Sequence, residues 1–234
     1  MKAVIAAAGT GGHINPGLAI ANKIKEQEKN SEIIFIGTDR GLENDLVPRA
    51  GYELKKIKAY GIQRKITLQN IKNLYNTFRS IGEAKKILKE FKPDVVIGTG
   101  GYICMPVIIA ANKLKIPTML HESNAFPGVS VKILSKKVDT VMVGFEDAKD
   151  RLPNAKNVVV TGTPTKIRKH EFTTDEKENI IRAIGLKINK PIVLVFGGSQ
   201  GAKSINESLL NIIINKKNKD YQIMWAAGPN QYQD

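Results

Sequence analysis

The feature that most constrains the fold of this 234-residue chain is an apolar run near its start that breaks into glycines. Val4-Ile5-Ala6-Ala7-Ala8 is followed by Gly9-Thr10-Gly11-Gly12-His13, and a helix is expected to open around Pro16. Unpaired backbone N–H groups and the positive end of a helix dipole converge at such a junction, which favours bound anions. His13 adds a group that can act as an acid or a base near neutral pH. A tight turn with a surface histidine and a ligand site both fit this segment taken alone.

Short apolar runs alternate with helical patterns along the chain, which predicts βαβ units and a doubly wound, mostly parallel α/β sheet in residues 1–162. The predicted strands are Ala3–Ala8, Ile33–Ile36, Glu53–Ile57, Val95–Gly98, Thr118–His121, Thr140–Val143 and Val158–Thr161. The predicted helices are Gly17–Glu28, Gly41–Ala50, Leu68–Phe91, Met105–Leu114, Val129–Lys136 and Glu146–Arg151.

Residues 163–234 are expected to form the first part of a second domain of the same kind. The predicted elements are a helix at Glu176–Ile184, a strand at Ile192–Phe196, a helix at Lys203–Asn215 and a strand at Tyr221–Ala226. A second glycine loop, Gly197-Gly198-Ser199-Gln200-Gly201-Ala202, follows the first of these strands and repeats the anion-binding pattern. Because two strands leave both faces and edges of a sheet exposed, this domain is expected to be incomplete.

Composition narrows the class of partner. The formal net charge of +14 favours polyanionic or phosphorylated partners, although a general lysine bias also contributes to it. With 6% aromatic residues, no zinc-finger spacing and no RNA-binding aromatic motif, nucleic acid is not expected as a partner. The single cysteine, Cys104, excludes an internal disulfide and fits a reducing cytosol. We expect no secretion signal, no membrane-spanning helix and, without an Asp-x-Asp pair, no metal site.

Two further polar clusters follow predicted strands. Gly98-Thr99-Gly100-Gly101-Tyr102 begins at the end of one strand, and His121-Glu122-Ser123-Asn124 at the end of the next. Each fits an ordinary turn or a solvated pair. Because ligands of a doubly wound sheet bind at the carboxyl ends of its strands, their joint occurrence with the first glycine loop predicts one lined cleft.

These segments together, with Pro127-Gly128 and with Asn206 after the second glycine loop, resemble the MurG family of bacterial glycosyltransferases in order and spacing. The resemblance covers the whole chain. It implies the GT-B fold, in which two Rossmann-like domains flank a cleft, with inversion at the anomeric carbon and neither metal nor cofactor required. The family needs roughly a hundred more residues than this chain has, so the chain is expected to be truncated at its C-terminus.

The implied reaction belongs to peptidoglycan synthesis. N-acetylglucosamine passes from UDP-N-acetylglucosamine to the 4-hydroxyl of undecaprenyl-diphospho-N-acetylmuramoyl-pentapeptide, at the cytoplasmic face of the bacterial cell membrane. Residues 1–162 would bind the acceptor and associate peripherally with anionic inner-leaflet lipids, and residues 163–234 would bind part of the donor. One alternative is a truncated acceptor-binding module without turnover. A weaker alternative is a UDP-sugar epimerase on the same scaffold.

The strand-end clusters and the resemblance together give expected roles for individual residues. His13 is the expected general base, with Glu122 as the alternative and a purely structural loop histidine as the other interpretation of His13. The expected substrate-binding residues are Thr10, Gly11, Gly12, Asn15, Gly100, Gly101, Tyr102, His121, Asn124, Lys166, Arg168, Ser199, Gln200, Gly201 and Asn206. Lys166 stands where the family has an arginine, and a point charge cannot reproduce the planar fork of an arginine on a diphosphate.

The predicted helix Leu68–Phe91 carries apolar residues at three- and four-residue steps with basic residues nearby. Such a stripe fits either a helix packed on the sheet or a surface that inserts into a membrane. The family resemblance favours the second interpretation for Ile71, Lys72, Tyr75, Phe78 and Arg79.

Overall fold

The computed structural model describes residues 1–59, 68–167, 170–198, 201–229 and 231, and within 68–78 it describes the helix but not the side chains. The chain divides into two compact units, Met1–Arg168 and Lys169–Asp234. The predicted domain break after Gly162 lies slightly before this division, so residues 163–167 belong to the first unit.

The first unit contains a seven-stranded parallel sheet. Its strands are β1 (Lys2–Ala7), β2 (Glu32–Gly37), β3 (Glu53–Lys56), β4 (Val95–Gly100), β5 (Thr118–Glu122), β6 (Thr140–Val143) and β7 (Val158–Val160). Their order is β3-β2-β1-β4-β5-β6-β7, so the order reverses between β1 and β4. A crevice at such a reversal is where doubly wound sheets bind ligands. The predicted doubly wound fold is confirmed.

Within the described residues, five helices connect these strands and two more belong to the second unit. They are α1 (Gly11–Gln27), α2 (Glu43–Arg49), α3 (Leu68–Phe91), α4 (Cys104–Lys113), α5 (Val129–Leu134), α6 (Thr174–Ala183) and α7 (Lys203–Ile214). The helix predicted at Glu146–Arg151 was wrong. A 3-10 turn spans only Glu146–Ala148, and i→i+3 hydrogen bonds continue to Leu152. Pro153 disfavours helical backbone at the residue before it, which limits this segment to turns.

Helix α1 begins earlier than the sequence predicts, at Gly11 instead of near Pro16, so Gly11, Gly12 and His13 form its first turn. Glycine is a poor helix former, which is why the pattern favours a loop. The first N–H groups of a helix need no partner within it, so glycines are tolerated there. Pro16 leaves only the carbonyl of Gly12 without its usual donor, and Gly12 is exposed.

The core lies on both faces of the sheet. Successive side chains of β1 alternate between the two faces, with Ile5 in one apolar cluster and Ala6 in the other. Helix α1 approaches the sheet closely at Gly17, where a Cβ atom would meet Thr99 Oγ1 at 3.0 Å and Ile5 Cγ2 at 3.1 Å. Gly17 thus allows α1 to pack closely on the sheet, which is the role of the third glycine in dinucleotide-binding loops.

The second unit contains the parallel strands β8 (Ile192–Phe196) and β9 (Gln222–Ala226) with helices α6 and α7. These are the elements that the sequence predicts. The sheet leaves apolar side chains in solvent, and Leu194 and Phe196 are 56% and 62% exposed.

Across the part of the chain that the structure describes, no helix is both long enough and apolar enough to cross a bilayer.

Candidate functional site

A cavity of about 230 Å³ opens at the carboxyl ends of β4 and β5. Its lining comes from α1, from the two strand ends and from α5, and includes His13, Thr99, Gly100, Gly101, Tyr102, His121, Glu122, Ser123, Asn124 and Gly128. Residues more than a hundred positions apart meet here because parallel strands end at one edge of the sheet. The structure therefore brings His13 together with both later polar clusters, as the sequence predicts.

His13 is held in one orientation by the backbone. Its Nδ1 atom lies 3.2 Å from the carbonyl oxygen of Ala8, and Thr99 Oγ1 donates a hydrogen bond of 2.8 Å to the His13 carbonyl. A carbonyl oxygen can only accept, so Nδ1 carries the proton of the neutral imidazole. Nε2 then keeps its lone pair and can accept a proton from a molecule in the cavity.

Gly100 and Gly101 make room for this arrangement. A Cβ atom on Gly100 would overlap the imidazole of His13, and one on Gly101 would lie 2.7 Å from the Ala8 carbonyl oxygen. Both residues have positive φ angles, +122° and +82°, which side chains other than glycine rarely adopt. The position of the His13 side chain thus requires glycine at both residues. This requirement holds independently of any contact that the pair makes with a substrate.

The start of α1 presents free backbone donors beside His13. Thr10 is the N-cap residue, and its side chain makes no capping hydrogen bond. Thr10 and Gly12 are exposed, as is Asn15 one turn further along the helix. The N–H groups of Gly11 and Gly12 precede the first intrahelical hydrogen bonds, and the helix dipole adds positive potential. This end of α1 can accept a phosphate group.

Glu122 is buried, with 4% of its surface exposed, and both of its carboxylate oxygens already accept hydrogen bonds. Oε1 accepts from the backbone N–H and the side-chain amide of Asn124, at 2.8 and 2.7 Å. Oε2 accepts from the Gly128 N–H at 2.8 Å. The geometry thus gives Glu122 a structural role, because its two oxygens hold the loop between β5 and α5.

His121 lies beneath this loop and is 1% exposed. Its Nε2 atom donates to the Gly162 carbonyl oxygen at 3.2 Å, and its Nδ1 atom lies 3.4 Å from Ser123 Oγ. Burial lowers the pKa of His121, although the hydrogen bond to Gly162 partly opposes this shift. A neutral histidine with both ring nitrogens occupied ties β5 to the segment after β7.

Several predicted binding residues lie elsewhere. Lys166 is exposed and lines a separate groove of about 620 Å³ along the second half of α1.

In the second unit, the Asn206 amide donates to the Ala227 carbonyl and accepts from the Trp225 indole, so it holds α7 to β9. Gly201 precedes α7 with φ +76°. Arg168, Ser199 and Gln200 lie outside the described residues.

The predicted membrane residues are on α3. The side chains of Ile71, Lys72, Tyr75 and Phe78 lie outside the description. Arg79 is exposed and pairs with Glu83 at 3.4 Å.

Two further residues, neither of them predicted from the sequence as a site residue, shape this site. Cys104, at the start of α4, contacts the backbone of Gly100 and Ala6, and burial raises its pKa to about 12. Glu43, on α2, is fully buried and accepts a hydrogen bond from the Gly9 N–H at 2.9 Å. For Glu43, the local sequence gives one sign of this contact, which is an acidic residue on the same helix face as the buried Val47. The described residues contain no group of three or more His, Cys, Asp or Glu that could hold a metal ion.

Comparisons with known proteins give the family. The profile of the Glycosyltransferase family 28 N-terminal domain matches residues 3–143. A UDP-N-acetylglucosamine--N-acetylmuramyl-(pentapeptide) pyrophosphoryl-undecaprenol N-acetylglucosamine transferase of Acetivibrio thermocellus is 45% identical over 233 residues, covering 99% of this chain and 62% of the relative. The protein of the same name from Halalkalibacterium halodurans is 44% identical over 100% of this chain and 63% of its own length.

Solved structures agree with the sequence relatives. The crystal structure of Acinetobacter baumannii MurG aligns with a TM-score of 0.68 and 28% identity, over 99% of this chain and 62% of that one. A UDP-GlcNAc 2-epimerase from Neisseria meningitidis aligns at 0.61 over 98% of this chain and 67% of that one. At 18% identity it shares the fold only. The chain spans about 62% of the length of the curated relatives that it matches. The family profile covers more than half of the chain, and the chain belongs to glycosyltransferase family 28.

Proposed function

We propose that this chain provides the acceptor-binding domain and part of the donor-binding domain of an inverting transferase of peptidoglycan synthesis. The enzyme would move N-acetylglucosamine from UDP-N-acetylglucosamine to the 4-hydroxyl of undecaprenyl-diphospho-N-acetylmuramoyl-pentapeptide. The observation that carries the proposal is that His13 lines the cavity at the strand ends with its Nδ1 atom 3.2 Å from the Ala8 carbonyl oxygen, which leaves Nε2 as the ring nitrogen that can accept a proton. The names of relatives at 42–46% identity support the choice of substrates.

In the proposed reaction, the 4-hydroxyl oxygen of the acceptor attacks the anomeric carbon of the donor sugar. A new C–O bond forms while the bond between that carbon and the diphosphate oxygen breaks, and UDP leaves with the electron pair. Nε2 of His13 takes the proton of the hydroxyl group, so charge and atoms balance. A single in-line displacement inverts the anomeric configuration. A histidine suits this step because a neutral imidazole nitrogen can accept a proton from a hydroxyl group.

We propose that the diphosphates bind without a metal ion. The unpaired N–H groups of Gly11 and Gly12 and the dipole of the 17-residue helix α1 supply positive potential at the cavity. Charge-assisted hydrogen bonds from such donors can stabilise a diphosphate directly. Lys166 remains a proposed donor contact.

The proposed site of action is the cytoplasmic face of the cell membrane, where the polyprenyl tail of the acceptor resides. In addition to the predicted α3 residues, α5 and the loop before it form an exposed apolar surface that could contact anionic lipid. Phe126 is 71% exposed, and Val129 and Ile133 lie four residues apart on one helix face at 54% and 48% exposure. Basic side chains border them, with the Arg151 guanidinium 4.0 Å from the centre of the Phe126 ring. Apolar insertion and lipid electrostatics together give reversible peripheral binding.

This surface can be tested by sedimentation with vesicles of graded anionic-lipid content. Replacing Phe126 or Ile133 with glutamate should weaken binding roughly tenfold, because each loses the transfer free energy of a large apolar side chain. The matched control is Ile167→Glu, since Ile167 is 83% exposed and lies off α5. Binding should also fall with salt. Unchanged binding of both the Phe126 and the Ile133 variants would exclude this face and leave α3 as the predicted docking helix.

The proposed activity is tested in a chimera that extends this chain with the matching C-terminal segment of the Acetivibrio thermocellus relative. We expect it to release UDP from UDP-N-acetylglucosamine only when the lipid-linked acceptor is present, and to yield an inverted glycosidic bond. Formation of an epimerised UDP-sugar without acceptor would instead support the epimerase alternative. Isothermal titration of the unextended chain with UDP-N-acetylglucosamine decides whether it already binds the donor or is an acceptor-binding module alone.

A further inference from the structure

Glu43 holds the glycine turn from the side opposite to the cavity. It is 0% exposed, and its Oε2 atom accepts the Gly9 N–H at 2.9 Å. Its Oε1 atom accepts both the N–H and the hydroxyl of Thr38, at 3.1 and 2.7 Å. The loop before α2 grips the other side of the turn, because the Leu42 N–H donates to the Gly9 carbonyl at 3.2 Å.

The loop that leads into Glu43 at the start of α2 is shaped around this contact. Gly41 has φ +107°, and a Cβ atom there would lie 2.6 Å from Glu43 Oε2 and 3.2 Å from the Gly9 Cα atom. Only a glycine lets the two backbone segments approach this closely. A buried carboxylate that served only to cap its own helix would not need such an approach to a different strand end.

The Gly9 N–H and the Ala8 carbonyl belong to one peptide group, and its two ends have different partners. Its N–H donates to Glu43, and its carbonyl oxygen accepts from Nδ1 of His13. We propose that Glu43 is a positioning residue for His13, acting through the Ala8–Gly9 peptide to keep the imidazole in the tautomer with the proton on Nδ1. This inference rests on the proposed role of His13 as the base.

The physical mechanism is hydrogen-bond cooperativity across one peptide. A carboxylate that accepts from an N–H group polarises the peptide and makes its carbonyl oxygen a better acceptor, an effect that is strongest in a buried setting. The same contact fixes the peptide plane, so the oxygen stays directed at the imidazole. Carboxylates commonly orient catalytic histidines by direct contact, and here one peptide group lies between them.

The test reads the tautomer directly, in this chain and without an activity assay. Long-range ¹H–¹⁵N spectra at mildly alkaline pH distinguish protonated from unprotonated ring nitrogens of neutral histidines. In the unmodified chain we expect His13 to carry its proton on Nδ1. His121 provides an internal reference with the opposite tautomer, since its Nε2 donates to Gly162. The spectrum of His13→Asn assigns the signals.

The decisive variant is Glu43→Gln. A glutamine has one acceptor oxygen and an NH₂ group, so it can no longer accept from both Gly9 and the Thr38 N–H, and its neutral oxygen polarises the Gly9 N–H less than a carboxylate does. We expect the fraction of His13 with the proton on Nε2 to rise at least twofold. The matched control is Asp139→Asn. Asp139 Oδ2 accepts the N–H and hydroxyl of Thr118, at 2.9 and 3.1 Å, at the opposite edge of the sheet. This control also removes a carboxylate that accepts two hydrogen bonds from one threonine, and it should leave the tautomer unchanged.

Two results would overturn the inference: a His13 with its proton on Nε2 in the unmodified chain, or an unchanged tautomer in folded Glu43→Gln. Should that variant fail to fold, the scalar coupling across the hydrogen bond from the Gly9 nitrogen to the Glu43 carboxylate carbon is measured in the unmodified chain, and its absence would count equally against the inference. If the tautomer shifts as expected but His13→Ala keeps full transfer activity in the chimera, the positioning role stands and the role of His13 as base fails.

Discussion

Replacement of His13 by alanine in the extended chimera is expected to lower the turnover number by about two to four orders of magnitude, the usual contribution of a general base. The affinity for UDP-N-acetylglucosamine should change little, because the proposed role of the imidazole is to act on the acceptor hydroxyl and not on the donor. Initial rates of UDP release at varied concentrations of both substrates measure the turnover number and the Michaelis constants separately.

A matched histidine control is available in the second unit. His170 is exposed and makes an edge contact with the ring of Phe172, so His170→Ala should leave turnover unchanged. Glu122→Gln is a useful comparison, because the two Glu122 oxygens brace the loop before α5. If His13→Ala keeps full turnover while Glu122→Gln loses it, the base assignment passes to Glu122.

The sequence was sufficient to predict the parallel sheet. It also predicted that the polar segments after β1, β4 and β5 lie together at the carboxyl ends of these strands. Alternating strand and helix patterns leave few topologies, because parallel crossovers are right-handed and helices must cover both faces. Once β4 and β5 are parallel neighbours, Gly100 and His121 must lie at one edge. For the same reason the glycine loop after β1 belongs to that edge.

The directions of the hydrogen bonds could not be predicted from the sequence. The sequence shows that Glu122 follows a histidine. It does not predict that the Glu122 oxygens accept hydrogen bonds from Asn124 and Gly128, because these contacts depend on the path of the folded loop. Glu43 reaches a residue 34 positions away, and no local periodicity encodes such a contact. The early start of α1 was missed because helix propensity penalises glycine, while the position at a helix N-terminus removes much of the cost.

The reactivity of the Cys104 thiol reports whether the turn between β4 and α4, which lines the cavity, stays closed to solvent in solution. Its thiol contacts the Gly100 carbonyl at 3.2 Å and lies 1% exposed between β1, β4 and α4. Burial raises the pKa of this thiol to about 12. The attacking species in thiol labelling is the thiolate. With an ordinary thiol pKa of about 8.5, the thiolate fraction at pH 8 falls by roughly three orders of magnitude in the folded chain.

We therefore expect a disulfide reagent such as DTNB to label the native chain at least about a thousandfold more slowly than the chain in denaturant. Since Cys104 is the single cysteine, the absorbance change reports one site without assignment. Full labelling in guanidinium chloride is the internal control, and Cys104→Ala should show none. Rapid labelling of the native chain would mean that the turn between β4 and α4 opens in solution. Gly100 would then not hold the fixed backbone that seats His13, and the catalytic geometry proposed for the cavity would have to form only on binding substrate.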